Sequence, residues 1–158
     1  MQSFDWAAIS AIASVVGGFG VVLSIVFLIY EVRRNAHAIE GASVQSLMSL
    51  EREVFSLLAE NAALMAKGGG DLASLSETEL YRYERAVGTY MSLVYSAFIQ
   101  NRRDLVDDEV WDAYVRALGR HMDAPGFTAA WHRIKTGYPV SFQHRIDTGF
   151  GGAAATEV

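Results

Sequence analysis

Residues 25–35 read IVFLIYEVRRN, and over these eleven positions the chain passes from hydrocarbon to charge with no turn residue between. Followed backwards, the apolar run reaches Trp6: residues 6–30, WAAISAIASVVGGFGVVLSIVFLIY, carry no charged side chain. A helix of that length covers about 37 Å at ~1.5 Å per residue, against roughly 30 Å for the hydrocarbon of a bilayer. The stretch therefore predicts a transmembrane helix over 6–30. A cleavable signal peptide would place basic residues before a shorter apolar core and small residues at its cleavage site. Here Asp5 precedes the core and the arginines follow it. A buried core helix is the other alternative, and unbroken apolarity at this length disfavours it.

Charge asymmetry gives the span a direction. Arg33 and Arg34 stand on its C-terminal side only, and flanking arginines are retained in the cytoplasm, which puts the N-terminus outside and the following domain inside. Trp6 and Tyr30 mark the two headgroup levels, where amphipathic rings prefer to sit. The predicted organisation is a short extracytoplasmic N-terminus at 1–5, the span at 6–30, a cytoplasmic helical domain at 31–148 and a flexible tail at 149–158. The partner implied first is the lipid bilayer itself.

Within the span, Ala7, Ser10, Ser14, Gly17 and Ser24 recur at helical spacing, and Ser10, Ser14 and Gly18 form a small-xxx-small series. In lipid no hydrophobic force draws helices together, so close approach along small residues and hydroxyl bonding are the usual means of association. The stripe predicts a homo-oligomer or a partner membrane subunit; ordinary tolerance of Gly and Ser in membrane helices is the plainer account. Gly17-Gly18-Phe19-Gly20 lacks the preceding strand and the following Lys-Ser/Thr of a phosphate loop, and reads as a packing or bending site. With no ionisable group inside the span, an ion path or a haem ligand has nothing to use.

The composition agrees with this division. An apolar content of 51% and a mean hydropathy of +0.17 are high for a soluble chain, and the excess lies before Glu31. Two prolines, no sustained strand-like alternation and no cysteine predict an all-α chain without disulfides or thiolate metal sites. The net charge of -5 and the absence of a basic stripe argue against nucleic acid as a partner.

Beyond Arg34 the helical pattern continues through Ile39, Val44, Leu47, Leu50, Val54, Leu57 and Leu58, so span and first soluble helix are expected to be continuous to about Glu60. Gly41 is the expected kink and Gly68-Gly69-Gly70 the expected break. Ser76-Glu77-Thr78-Glu79 is a capping box that opens a second long helix, with Leu80, Tyr83, Val87, Tyr90, Val94 and Phe98 inward and Arg102 and Arg103 at its end. Asp107-Asp108-Glu109 opens a third, with Val110, Trp111, Tyr114, Leu118 and Met122 inward. Pro125 suits the first turn of a fourth, carrying Phe127, Trp131 and Ile134. A short helix from Pro139 to about Asp147 closes the bundle. An antiparallel return would bring Arg102 and Arg103 toward Arg33 and Arg34 as a basic collar at the headgroups; helix capping by solvated arginines explains them equally well.

Chemistry is harder to find. His37, His121, His132 and His144 stand in no metal motif, and His37 with Glu40 is an ordinary surface pair. No nucleophile elbow, phosphate loop or dinucleotide fingerprint occurs. No catalytic residue, cofactor or metal is expected, and the chain does not read as an enzyme. The tyrosines at 81, 83, 90, 95 and 114 line a ligand cavity on one reading and fill a core on the other.

Taken together, DWAAISAI, VVLSIVFLIYEVRRNAHAI, VDDEVWDAYVRAL, APGFTAAWHRI and VSFQHRID resemble, over nearly the whole chain, a family of small single-pass bacterial membrane proteins with a C-terminal cytoplasmic helical domain and no assigned activity. The resemblance implies bacterial origin, this same architecture and a place in the inner membrane. One departure is Ala124, where such proteins tend to have Ser before the Pro-Gly pair, so the helix cap there is weaker. Two functions fit. The first is an accessory or assembly protein that associates through its small-residue span and presents its bundle for docking; the second is a membrane-anchored sensor that binds a small ligand among the bundle aromatics.

Overall fold

A computed structural model describes residues 6–150, with side-chain surroundings from Gly17 onward. Its α-helices are α1 (Trp6–Glu60), α2 (Ala62–Gly70), α3 (Glu77–Asn101), α4 (Asp108–Met122), α5 (Pro125–Ile134) and α6 (Val140–Phe150), and no strand occurs among the described residues. The chain is all-α, and the expected continuity of α1 through Tyr30, Arg34 and Gly41 to Glu60 is present. Contacts divide the chain after Gly41 into two compact units. The first holds the N-terminal part of α1 and the second, from Ala42, is the helical bundle.

Bundle helices begin where the sequence supplies acceptors for their free N–H groups. Ser76 Oγ accepts from the Glu79 N–H at 3.3 Å, while Glu79 Oε2 accepts from the Ser76 N–H at 2.8 Å, closing the predicted capping box. Lys67 Nζ lies 2.8 Å from the same carboxylate, and these bonds hold Glu79 down at about 2, the lysine contributing most. Asp107 opens α4 by accepting from the Val110 N–H at 2.9 Å. At α5 the capping residue is Ala124, extended and without a side-chain acceptor, with Pro125 in the first turn. Ala124→Ser supplies an acceptor for one added oxygen atom, and is expected to stabilise the bundle by about 1 kcal/mol, measured as a shift of the denaturant midpoint at constant slope.

α3 is the central helix, with nine buried residues. Tyr83, Val87, Tyr90, Val94 and Phe98 face inward as the period predicts, and Leu80 is half-buried. Against them pack Leu47 and Val54 of α1, Trp111 and Leu118 of α4, Phe127 and Trp131 of α5, and Phe142 and Ile146 of α6. Ile39, expected on the inner face of α1, is exposed; it precedes Ala42, where the bundle begins.

The triple glycine behaves differently from expectation. The first interruption is at Asn61, and Gly68, Gly69 and Gly70 lie inside α2. The reason is close packing. A Cβ on Gly68 would stand 2.4 Å from the Tyr83 ring, and one on Gly126 would stand 1.7 Å from the Gly68 carbonyl oxygen. The glycines let α2 and α5 touch backbone to backbone, which offsets the helix propensity they forgo. Asp71 then ends α2 and accepts from the Ala73 N–H at 2.9 Å.

α6 runs to Phe150, three residues past the expected Asp147, so Gly149 and Phe150 of the expected tail are helical. The rest of that tail, 151–158, and the N-terminal segment 1–5 lie outside the described residues.

Candidate membrane and docking surfaces

Between Gly17 and Tyr30 every residue of α1 is exposed, and no side of the helix is covered. Phe19, Leu23 and Phe27, one turn apart on one face, are 68%, 67% and 68% exposed; Val22, Val26 and Ile29 on a neighbouring face are at least half exposed. A helix that is apolar on all sides is stable only when something apolar surrounds it. Among the residues described with side chains, no helix is long and apolar enough to cross a membrane. From Gly17 the uncharged run is fourteen residues to Tyr30, after which Glu31, Arg33 and Arg34 follow. The eleven residues from Trp6 to Val16 belong to α1, and Trp6, Ala7, Ser10 and Ser14 lie among them, outside the described side chains.

Of the expected small-residue stripe, Gly17 and Ser24 come together, joined by Gly20, in a shallow groove bordered by Val21, Ile25 and Leu28. Gly18 points elsewhere on the helix and does not line it. The Ser24 hydroxyl donates to the Gly20 carbonyl at 2.8 Å, which satisfies it within the helix. A Cβ on Gly17, Gly18 or Gly20 would meet nothing within 4 Å. Each mid-helix glycine costs about 1 kcal/mol of helix stability relative to alanine, and nothing described in this chain uses the space it leaves.

At the charged end of the run, Tyr30, Arg33 and Arg34 are exposed, and Arg34 lies 4.0 Å from Glu31. His37 and Glu40 are 3.5 Å apart as a surface pair one turn long. Arg102 caps the end of α3 and lies over the Phe98 ring at 5.6 Å, with Arg103 exposed beside it.

The bundle interior is filled with rings. Tyr83 and Tyr90 are buried; Tyr95 and Tyr114 are half-buried, and Tyr81 is exposed. Phe142 meets Tyr95, Phe98, Trp131 and Tyr138 with ring centroids 5.1–6.0 Å apart. Apart from tyrosine and tryptophan, no charged or polar residue is buried among the described residues, and no His, Asp or Glu among them gather in threes that could hold a metal ion. His121 lies between Tyr90 and Phe127, at 4.6 and 5.4 Å, and burial, aided by the neighbouring Arg120 charge, pushes its pKa down. Burial alone would raise Asp147, but bonds from Lys135 Nζ at 2.6 Å and the Trp131 indole N–H at 3.0 Å hold it below the usual carboxylate range. Arg133 pairs with Glu84 between α5 and α3. These are structural networks that fix helix positions.

Sequence reading missed α2, the meeting of Gly68 with Gly126, and the grooves along the bundle surface. A glycine directly after Pro125, paired with a glycine run that no turn required, was the available signal. Compared with known proteins, the chain matches no family model, no curated protein and no solved structure.

Proposed function

We propose that this chain is a membrane-anchored accessory or assembly protein of the bacterial inner membrane. Residues 6–30 form a single span with the N-terminus outside, and the bundle stands in the cytoplasm. The observation that carries the reading is the surface of α1 from Gly17 to Tyr30, apolar on every side and covered by nothing described in the chain. Lipid supplies the missing apolar surroundings, and the eleven residues before Gly17, which are also uncharged, bring the run to a full bilayer. The groove of Gly17, Gly20 and Ser24 gives the span a face for a second copy or another membrane subunit, because its glycines hold open a space their own chain does not fill.

The test is association within the membrane. Crosslinking in native membranes, followed by purification in mild detergent, is expected to give a dimer or a complex with another subunit. Gly20→Leu, which closes the groove, is expected to reduce that product at least fivefold while Gly18→Leu, outside it, has a smaller effect. A lone monomer unaffected by crosslinker removes the assembly reading. The sensor reading needs a ligand site; with the interior filled by rings, that site would have to be a surface groove such as the polar one beside Ser92 and Tyr138.

A further inference from the structure

Around Tyr83 the bundle helices leave a cavity of about 430 Å³, within the range of small-molecule sites. Phe55 and Leu58 of α1, Met65 of α2 and Phe127 of α5 form its walls. Phe55 is 46% exposed and belongs neither to the buried core nor to the apolar side chains packed against it. Its ring is an apolar surface that the fold leaves at the cavity.

The polar groups are few. Tyr83 is buried as a residue, yet its hydroxyl has no hydrogen-bond partner among the described residues, and burial alone acts on it, raising its pKa. The enclosed side-chain polar atom without a partner among those residues is Gln100 Oε1, so the Tyr83 hydroxyl is not sealed in but reached from the cavity. A Cβ on Gly69 would stand 3.9 Å from both the Tyr83 Oη and the Ala124 Cβ, and Gly69 and Ala124 line the cavity, so the hydroxyl is aimed into it. A hydroxyl placed this deep without an internal bond costs desolvation that phenylalanine would avoid. Its partner comes from whatever fills the cavity. His121 also lines the space, stacked on Phe127 at 5.4 Å, and its burial beside Arg120 favours the neutral imidazole. At the mouth Arg120 is exposed, and Asp123, also exposed, follows three residues on. The two charges offset each other, so the opening selects neither anions nor cations.

We infer that this cavity binds a neutral, mostly apolar aromatic molecule that carries a hydroxyl, its ring against Phe55 and Phe127 and its hydroxyl bonded to Tyr83. The apolar walls supply affinity, and the one deep polar group fixes orientation. The inference goes beyond the proposed function: the site lies wholly within the bundle and does not depend on the span crossing or associating.

The test titrates the full chain in nonionic detergent with 1-naphthol, naphthalene and 1-naphthoate by calorimetry, against detergent alone. The three share a ring system and differ in the group it carries. Saturable binding is expected, tightest for 1-naphthol. Tyr83→Phe keeps the ring against Gly68. It is expected to weaken 1-naphthol about tenfold, to the level of naphthalene, whose own binding it leaves unchanged. The thermal midpoint of Tyr83→Phe is expected at or above the wild-type value; a lower one would mean that the hydroxyl is bonded within the fold, and overturns the inference. Gly69→Leu, whose Cβ meets ordinary contacts at 3.9 Å, fills the cavity and is expected to abolish binding of all three. Binding of 1-naphthol to Tyr83→Phe as tight as to wild type, or no saturable binding, overturns the inference. So does tightest binding of 1-naphthoate that is lost in Arg120→Gln, which would make the cavity an anion site. A span that fails to associate leaves these titrations unchanged, so the two readings fail separately.

Discussion

Gly126→Ala is expected to destabilise the bundle by about 3 kcal/mol or more, at the upper end of what overpacking costs. The added methyl would fall 1.7 Å from the Gly68 carbonyl oxygen and 2.9 Å from the Gly68 carbonyl carbon. Both atoms are backbone, so no rotamer change relieves the clash and α2 or α5 must move as a body. Moving α2 disturbs Tyr83, whose ring lies against Gly68 and which is fully buried at the head of α3. Moving α5 disturbs Phe127 and Trp131 in the core. Against a typical domain stability of roughly 5–15 kcal/mol, the loss is a large fraction. Thermal unfolding followed by circular dichroism is expected to show a midpoint lower by on the order of 10 °C or more. Gly137→Ala is the matched control: its methyl would meet nothing within 4 Å, and the change is expected to stay within about 0.5 kcal/mol. Equal behaviour of the two variants would contradict the close approach of α2 and α5.

Phe19→Asp combined with Val22→Asp is expected to release the protein from the membrane. Each acid near the centre of a span costs about 2.5–3.5 kcal/mol, while each large apolar residue contributes only about 0.3–0.6. Two acids therefore cancel most of what the apolar residues of the span supply. The wild-type chain is expected to remain in the membrane pellet through an alkaline carbonate wash, and the double variant to leave it. Phe19→Leu with Val22→Leu, equally apolar, is expected to stay. Phe19 and Val22 are exposed and belong to the unit that ends at Gly41, so the helical signal of the bundle is expected to survive in all three proteins.

The parts of this fold that were legible in the sequence are those governed by local rules. Ser76 with Glu79, Asp107 and Pro125 each mark a helix start within the chain's own neighbourhood, and each stands where the spacing puts it. The inner faces of α3 and α5 follow from the 3.6-residue period alone. Where reading failed, the cause was a distant partner. Gly68 looks like a helix breaker until Tyr83 and Gly126 are seen to need its bare Cα. Asn61, which ends α1, takes its meaning from the Arg82 guanidinium, which donates to its side-chain oxygen at 2.9 Å from twenty-one residues away. Of the candidate surfaces, the apolar run of α1 was legible because uniform composition needs no partner to be recognised. In sequence Gly20 is one glycine of a run, and only the helix surface places it with Gly17 and Ser24. The grooves on the bundle surface were invisible because they depend on how far apart neighbouring helices stand.

The central claim, that residues 6–30 cross a membrane with the bundle on the cytoplasmic side, is most directly tested by cysteine accessibility, for which a chain without cysteine is well suited. Ser3→Cys and Thr136→Cys are made separately and exposed to a membrane-impermeant maleimide, first in intact spheroplasts and then after lysis. Position 3 is expected to label in intact spheroplasts, and position 136, exposed beside α5, only after lysis. Labelling of position 136 in intact spheroplasts, or protection of both positions until lysis, would contradict the claim.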